Sequence, residues 1–239
     1  MARLKKALVT GAAKGIGRAI ALDLASKGFD VAVHYNRSLS AAKEVADSAV
    51  ALGVKALTLQ ADVTKPEEVR YLVDSAAEQL GGLSVVVNNV GNYLKKSIEE
   101  VNVEEWHEIL NSNLNATFYV TQAALPHLKA AGWGRIVNLG FAGAQQLIAR
   151  PSIVPYAIAK TGIILYTKSL AKQLVKYNIT ANVVSPGVAE NSVSQPLDQI
   201  PCGRPATLNE LVRAVDFFIA PDSDYITGQV VEVSGGWNI

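Results

Sequence analysis

Hydrophobic and polar positions along the 239 residues alternate between two rhythms. Short runs rich in β-branched residues predict strands at 6–10 (KALVT), 31–35 (VAVHY), 56–60 (ALTLQ), 84–89 (SVVVNN), 135–140 (RIVNLG), 180–185 (TANVVS) and 230–235 (VVEVSG). Between them, residues 15–28, 66–80 and 155–177 carry apolar side chains three and four apart, the spacing of a helix with one buried face, and a Lys-Gly stop closes the first. Strands separated by helices have the long crossovers that join parallel neighbours. The pattern therefore predicts an α/β fold, a parallel sheet covered by helices on both faces. No Pro/Gly/Ser-rich linker, low-complexity tract or internal repeat divides the chain, so residues 1–239 read as one domain.

The first strand runs straight into Thr10-Gly-Ala-Ala-Lys-Gly-Ile-Gly17. Glycines at 11, 15 and 17 permit a tight turn, and a helix starting there aims unpaired N–H groups and its positive dipole end at a pyrophosphate. This strand, turn and helix make the predicted sheet Rossmann-type and doubly wound, with about seven strands. The second strand ends in His34-Tyr-Asn36-Arg37-Ser38, with no carboxylate where a free ribose 2′-hydroxyl would need one. Arg37 and Ser38 instead suit a 2′-phosphate, and Lys14 in the turn adds a second positive charge. NADP(H) is the expected cofactor, with Asn36, Arg37 and Ser38 at its phosphate.

Composition narrows the partners. With 49% hydrophobic and 18% charged residues the chain has enough apolar surface for one substantial core, which argues against disorder. A formal net charge of +1, from charges spread along the chain, leaves no footprint for nucleic acid or an anionic membrane. The start, MARLKKALVTG, is too short for a signal h-region, and no run approaches the ~20 apolar residues of a membrane span. Cys202 is the single cysteine, which excludes an intrachain disulfide framework and fits a reducing cytoplasm. His34, His107 and His127 lack metal-ligand spacing, so no metal is expected. Trp106, Trp133 and Trp237 are isolated and read as packing residues.

Four motifs in order, the TGAAKGIG turn, Asn88-Asn89-Val90-Gly91, Tyr156-x3-Lys160 and Ser185-Pro186-Gly187, resemble the short-chain dehydrogenase/reductase family. The likeness extends over nearly the whole chain to the closing YITGQVVEVSGGW. It is closest to 3-oxoacyl-acyl-carrier-protein reductases, while HYNRS looks like the strand end of pteridine reductases. The resemblance implies that Gly11, Lys14, Gly15, Ile16 and Gly17 hold the pyrophosphate and adenosine side and that Asp62 and Val63 hold the adenine. It gives Asn89, Val90 and Gly91 the adenosine ribose and the floor of the site. Pro186, Gly187, Val188 and Ala189 would meet the nicotinamide carboxamide, with Asn191 where the family has a threonine-like hydroxyl. It also implies a homotetramer built from residues 104–131, 155–177 and the last strand.

Tyr156 and Lys160, four apart on a predicted helix, project from one face about a turn apart. An ammonium beside a phenol lowers its pKa from about 10, and the hydroxyl then protonates a carbonyl oxygen as hydride arrives. By resemblance Lys160 also anchors the nicotinamide ribose, and Asn113 holds a water of the proton relay. The family's helper serine falls on Phe141 or Gly143, neither of which donates from its side chain. Gln145, Gln146 or Ser152 are the candidate replacements. The segment between Asn191 and Gly203 is short for a lid, which implies an open pocket, and Phe141 offers a wall for a flat ring. The expected function is NADPH-dependent reduction of a 3-oxoacyl thioester, free or carrier-bound, or a similar ketone. A pteridine-reductase-like enzyme and an NADP(H)-binding protein with little turnover are the alternatives.

Overall fold

The computed structural model describes residues 3–192 and 195–237. Seven parallel strands, β1 (Lys6–Val9), β2 (Asp30–Tyr35), β3 (Ala56–Gln60), β4 (Val85–Asn88), β5 (Gly134–Leu139), β6 (Ile179–Pro186) and β7 (Val230–Val233), form one sheet in the order β3-β2-β1-β4-β5-β6-β7. The helices are α1 (Gly15–Ser26), α2 (Leu39–Ala51), α3 (Pro66–Leu80), α4 (Val103–Leu110), α5 (Ala116–Ala130), α6 (Val154–Leu174) and α7 (Leu208–Ile219). Side chains alternate across each strand, so Ala7, Val9, Val31 and Val33 pack with α1, α2 and α7 on one face. Leu8, Ala32, Val86 and Ile136 pack with α3, α5 and α6 on the other.

Local chemistry sets the helix ends. Pro66 opens α3, Glu67 and Glu68 occupy its positive first turn, and Gly81 ends it at φ 77°. Asn102 with Glu105 and Thr207 with Glu210 form reciprocal capping boxes on α4 and α7. Within residues 104–131, α4 and α5 are separated by a π turn over Asn111–Asn115. There the Asn113 side-chain amide donates to Ile109 O at 3.0 Å, at the carbonyl one turn back along the helix.

Sheet order places the site. From β1 the chain winds outward through β2 and β3, then returns to β4 on the other side of β1. The connections diverge at the C-terminal ends of β1 and β4, leaving the crevice where open α/β sheets bind ligands.

Candidate functional site

The crevice is a cleft of ≈ 630 Å³ whose lining includes Gly11, Lys14, Arg37, Asp62, Val63 and Val90. Its glycine turn is held from three sides. A Cβ at Gly17 would lie 2.4 Å from Gly11 O and 2.6 Å from Asn89 Nδ2, so the first turn of α1 packs onto the loop without a side chain between them. Asn89 donates to Thr10 O at 3.0 Å and Gly11 O at 3.2 Å, while Thr10 Oγ1 accepts from Asn89 N at 2.9 Å. Asn89 thus braces the turn.

His34 is the third support. Its Nδ1 accepts from Gly11 N at 2.9 Å, which leaves Nε2 to donate to Ala61 O at 3.0 Å. That arrangement requires the neutral imidazole, and burial pushes its pKa down in the same direction. The buried histidine therefore couples the glycine turn to the end of β3.

At the outer end of the cleft, Asn36 and Arg37 are exposed and Ser38 is half-buried. Lys14 and Arg37 have no carboxylate within ion-pair distance among the described residues. Asp62 accepts from Thr64 N at 3.0 Å and Thr64 Oγ1 at 2.7 Å, fixing the bend after β3. Ile16 packs partly buried against the core. A Cβ at Gly15 would lie 2.6 Å from Asn191 Nδ2, so Asn191 covers the turn from the far side.

The candidate catalytic residues gather where α6 passes the end of β5. Lys160 is buried, and its Nζ donates to Leu139 O at 2.8 Å. It stands 5.5 Å from the centre of the Tyr156 ring. Asn113 is fully buried and donates to Asn92 O at 2.9 Å, but among the described residues its Oδ1 has no partner. A Cβ at Gly91 would lie 2.2 Å from Asn113 Oδ1 and 3.4 Å from Lys160 Nζ. Both polar atoms therefore converge over this glycine. Tyr156 meets Tyr93 edge-on at 5.0 Å between ring centres and Phe141 at 5.4 Å; Phe141 in turn meets Trp237 at 5.9 Å.

Burial dominates the electrostatics here. It lowers Lys160 to about 8 and raises the Tyr156 phenol above its ordinary 10, with the neighbouring Tyr93 phenol adding to the rise. The net direction for Tyr156 is opposite to the lowering expected from its lysine neighbour. Desolvation is the reason: a phenolate in this packed corner loses more water than the ammonium's field returns.

The family model described as Enoyl-(Acyl carrier protein) reductase matches residues 11–238. The 3-oxoacyl-(acyl-carrier-protein) reductase FabG of Staphylococcus aureus is 35% identical over 99% of each chain. The hydroxynaphthalene reductase-like protein Arp2 of Metarhizium robertsii is also 35% identical, over 97% of this chain and 94% of its own. Among solved structures, a short chain dehydrogenase from Burkholderia cenocepacia in complex with NADP superposes with a TM-score of 0.93 at 34% identity, covering 99% of both chains. The chain belongs to the short-chain dehydrogenase/reductase family.

In this short-chain dehydrogenase/reductase the nicotinamide-side candidates begin at Pro186, the last residue of β6, and run on past the strand. Ala142 N donates to Pro186 O and Gly187 N to Val233 O, both at 2.9 Å. Val188 and Ala189 are buried beyond them. Between Asn191 and Gly203 the one regular element among the described residues is a 3-10 turn, Leu197–Gln199. Residues 193 and 194 of the expected lid lie outside the described residues.

The loop after β5 carries Phe141 and Gly143, neither with a side-chain donor. Of the candidate replacements, Gln145 is exposed and donates to Glu232 Oε1 at 3.3 Å, the same oxygen that accepts from Gly143 N at 2.8 Å. Gln146 is exposed on the same turn. Ser152 is exposed, and its carbonyl accepts from Lys96 N at 2.8 Å. Three contributors escape the sequence reading: His34, Glu232 and Tyr93. For His34 a signal existed, because a histidine inside a strand buried on both faces needs partners for both ring nitrogens. Among the described residues no cluster of three or more His, Cys, Asp or Glu forms a metal site.

Proposed function

We propose that this protein reduces a ketone with NADPH, with Tyr156 as proton donor, Lys160 as its charged neighbour and Asn113 as relay residue. The 3-oxoacyl thioester is the preferred substrate class, supported by the FabG relative. The observation that carries the reading is the convergence of Tyr156, Lys160 and the unpartnered Asn113 Oδ1 beside the glycine-turn cleft.

The cleft suits the cofactor. Lys14, Arg37 and Ser38 supply two cations and a hydroxyl for a 2′-phosphate, and no carboxylate stands at the end of β2 to repel it. Relatives support the same choice, since one solved neighbour holds NADP and a second, a blue fluorescent protein from a metagenomic library, holds NADPH. Gly11, Gly15, Ile16 and Gly17 would cradle the pyrophosphate, and Asp62 and Val63 would flank the adenine. Asn89, Val90 and Gly91 would floor the site, and Pro186 to Ala189 would face the carboxamide. Bound NADPH supplies the hydride received by the carbonyl carbon.

The chain's own part is proton management. Its raised pKa keeps Tyr156 protonated through the working range, the state that reduction requires. The carbonyl oxygen takes that proton as negative charge develops on it, yielding the alcohol. Lys160 offsets the negative charge that develops beside it, and beyond its bond to Leu139 O its ammonium has two further N–H groups for a ribose hydroxyl and the relay. The aromatic surround of Tyr156 supports a second substrate class, flat-ring ketones or pterins, in line with the hydroxynaphthalene reductase-like relative. Apolar side chains exposed on α5 and α6, among them Phe118, Ile158 and Leu165, support a homotetramer, which light scattering would test. A cytoplasmic location completes the reading.

The test compares NADPH oxidation by the wild-type protein and Tyr156→Phe across acetoacetyl-CoA, quinonoid dihydropterin and 9,10-phenanthrenequinone. Turnover lost on removing this hydroxyl, with NADPH still bound, supports the proposal. NADPH binding without turnover by the wild type on any of these ketones would favour a nucleotide-binding protein instead.

A further inference from the structure

We propose that Tyr93 is a catalytic residue of this site, its hydroxyl giving the substrate carbonyl oxygen a second hydrogen bond beside the proton donor Tyr156. This rests on the ketone-reduction reading above. It answers a chemical deficit: an oxygen gaining negative charge is stabilised by preorganised donors, and the loop from Phe141 to Gly143 offers no side-chain donor.

Geometry favours Tyr93. Its ring packs edge-on against Tyr156, 5.0 Å between centres at 85°. It is nevertheless 57% exposed, bordering a pocket of ≈ 220 Å³ that shares Asn92 and Glu108 with the cofactor cleft. Among the described residues neither the Tyr93 nor the Tyr156 hydroxyl makes a hydrogen bond, so both are available to a ligand. The Tyr93 phenol also adds to the upward shift of Tyr156, which places the two groups within electrostatic reach.

The segment that carries Tyr93 is pinned on both sides. Before it, Asn92 O accepts from Asn113 Nδ2 and Asn92 Nδ2 donates to Glu108 Oε1, both at 2.9 Å. After it, Lys96 N donates to Ser152 O at 2.8 Å, and Lys96 Nζ pairs with Glu105 at 2.8 Å. A hydroxyl held this way needs little reorganisation when charge appears on the substrate. Gln145, by contrast, is engaged with Glu232.

Tyr93→Phe keeps the ring and removes only the donor. With NADPH and either 9,10-phenanthrenequinone or acetoacetyl-CoA, kcat is expected to fall about 100-fold, the typical effect of deleting one oxyanion donor. NADPH affinity, measured by fluorescence titration, and the melting temperature should remain at wild-type values. Adding Phe141→Ser to Tyr93→Phe should recover part of the lost kcat, which a merely structural role for Tyr93 would not allow. A Tyr93→Phe enzyme with kcat within about threefold of wild type would overturn this assignment, while a simultaneous loss in Tyr156→Phe would leave the ketone-reduction reading standing. A wild-type protein that turns over neither ketone overturns both.

Discussion

Lys160 is 4% exposed and, among the described residues, makes one hydrogen bond, to Leu139 O at 2.8 Å. Loss of hydration lowers its pKa from 10.5 to about 8. At about 1.4 kcal/mol per pH unit, that gap means the buried ammonium costs the fold about 3 kcal/mol at neutral pH, where native and unfolded chains both hold the proton. Between about pH 8 and 10.5 the unfolded chain binds more protons than the native one, so stability rises with pH across this window. Lys160→Met fills similar space without titrating. The variant should be more stable than wild type at pH 7 by about 2 kcal/mol, after allowing about 1 kcal/mol for the lost Leu139 hydrogen bond. The wild type should regain about 2 kcal/mol relative to the variant by pH 9.5. Urea unfolding at each pH, followed by tryptophan fluorescence, measures the difference. A gap between the two proteins that stays constant from pH 7 to 9.5 would refute the reasoning.

Arg37→Ala should raise the KM for NADPH by about 10- to 100-fold, the worth of a charge-assisted phosphate contact, with little change for NADH; steady-state kinetics with both cofactors checks it. Gly91→Ala would place a methyl 2.2 Å from Asn113 Oδ1. It should lower both turnover and unfolding free energy, the latter by about 1–3 kcal/mol, as overpacking does. Thr207→Ala removes one half of the α7 capping box. It should cost about 1 kcal/mol in denaturant unfolding and leave NADPH affinity unchanged, because the cap lies outside the cleft lining.

Local pattern carried the elements whose ends are fixed by their own residues. Residues 66–80 coincide with α3 because Pro66 and the left-handed Gly81 punctuate it. The strands fall within one or two residues of their predicted bounds because apolar, β-branched runs mark a sheet covered on both faces. The cleft was legible too: Gly11, Lys14, Asn36, Arg37, Ser38, Asp62, Val63 and Val90 all line it. What escaped depends on partners far along the chain or on a single polar contact. The break at 111–115 comes from one asparagine amide bonding back to Ile109 O, which leaves hydrophobic spacing intact. Tyr93 is positioned by anchors that reach residues 105, 108, 113 and 152, and Gln145 is turned by Glu232, 87 residues away. The lowered phenol pKa inferred from a lysine one turn away ignored how deeply both groups sit. Spacing alone cannot report that.

Deuterium transfer offers the most direct test of Tyr156 chemistry at the crevice. NADPH labelled at C4, on each face in turn, is mixed with excess wild-type protein and acetoacetyl-CoA, and the product is read by mass spectrometry. One of the two labelled cofactors should deliver deuterium to the carbinol carbon, and Tyr156→Phe should bind it equally well but transfer at least about 100-fold more slowly. An unlabelled ketone recovered from the cofactor-loaded wild type, or transfer by Tyr156→Phe at the wild-type rate, would contradict it.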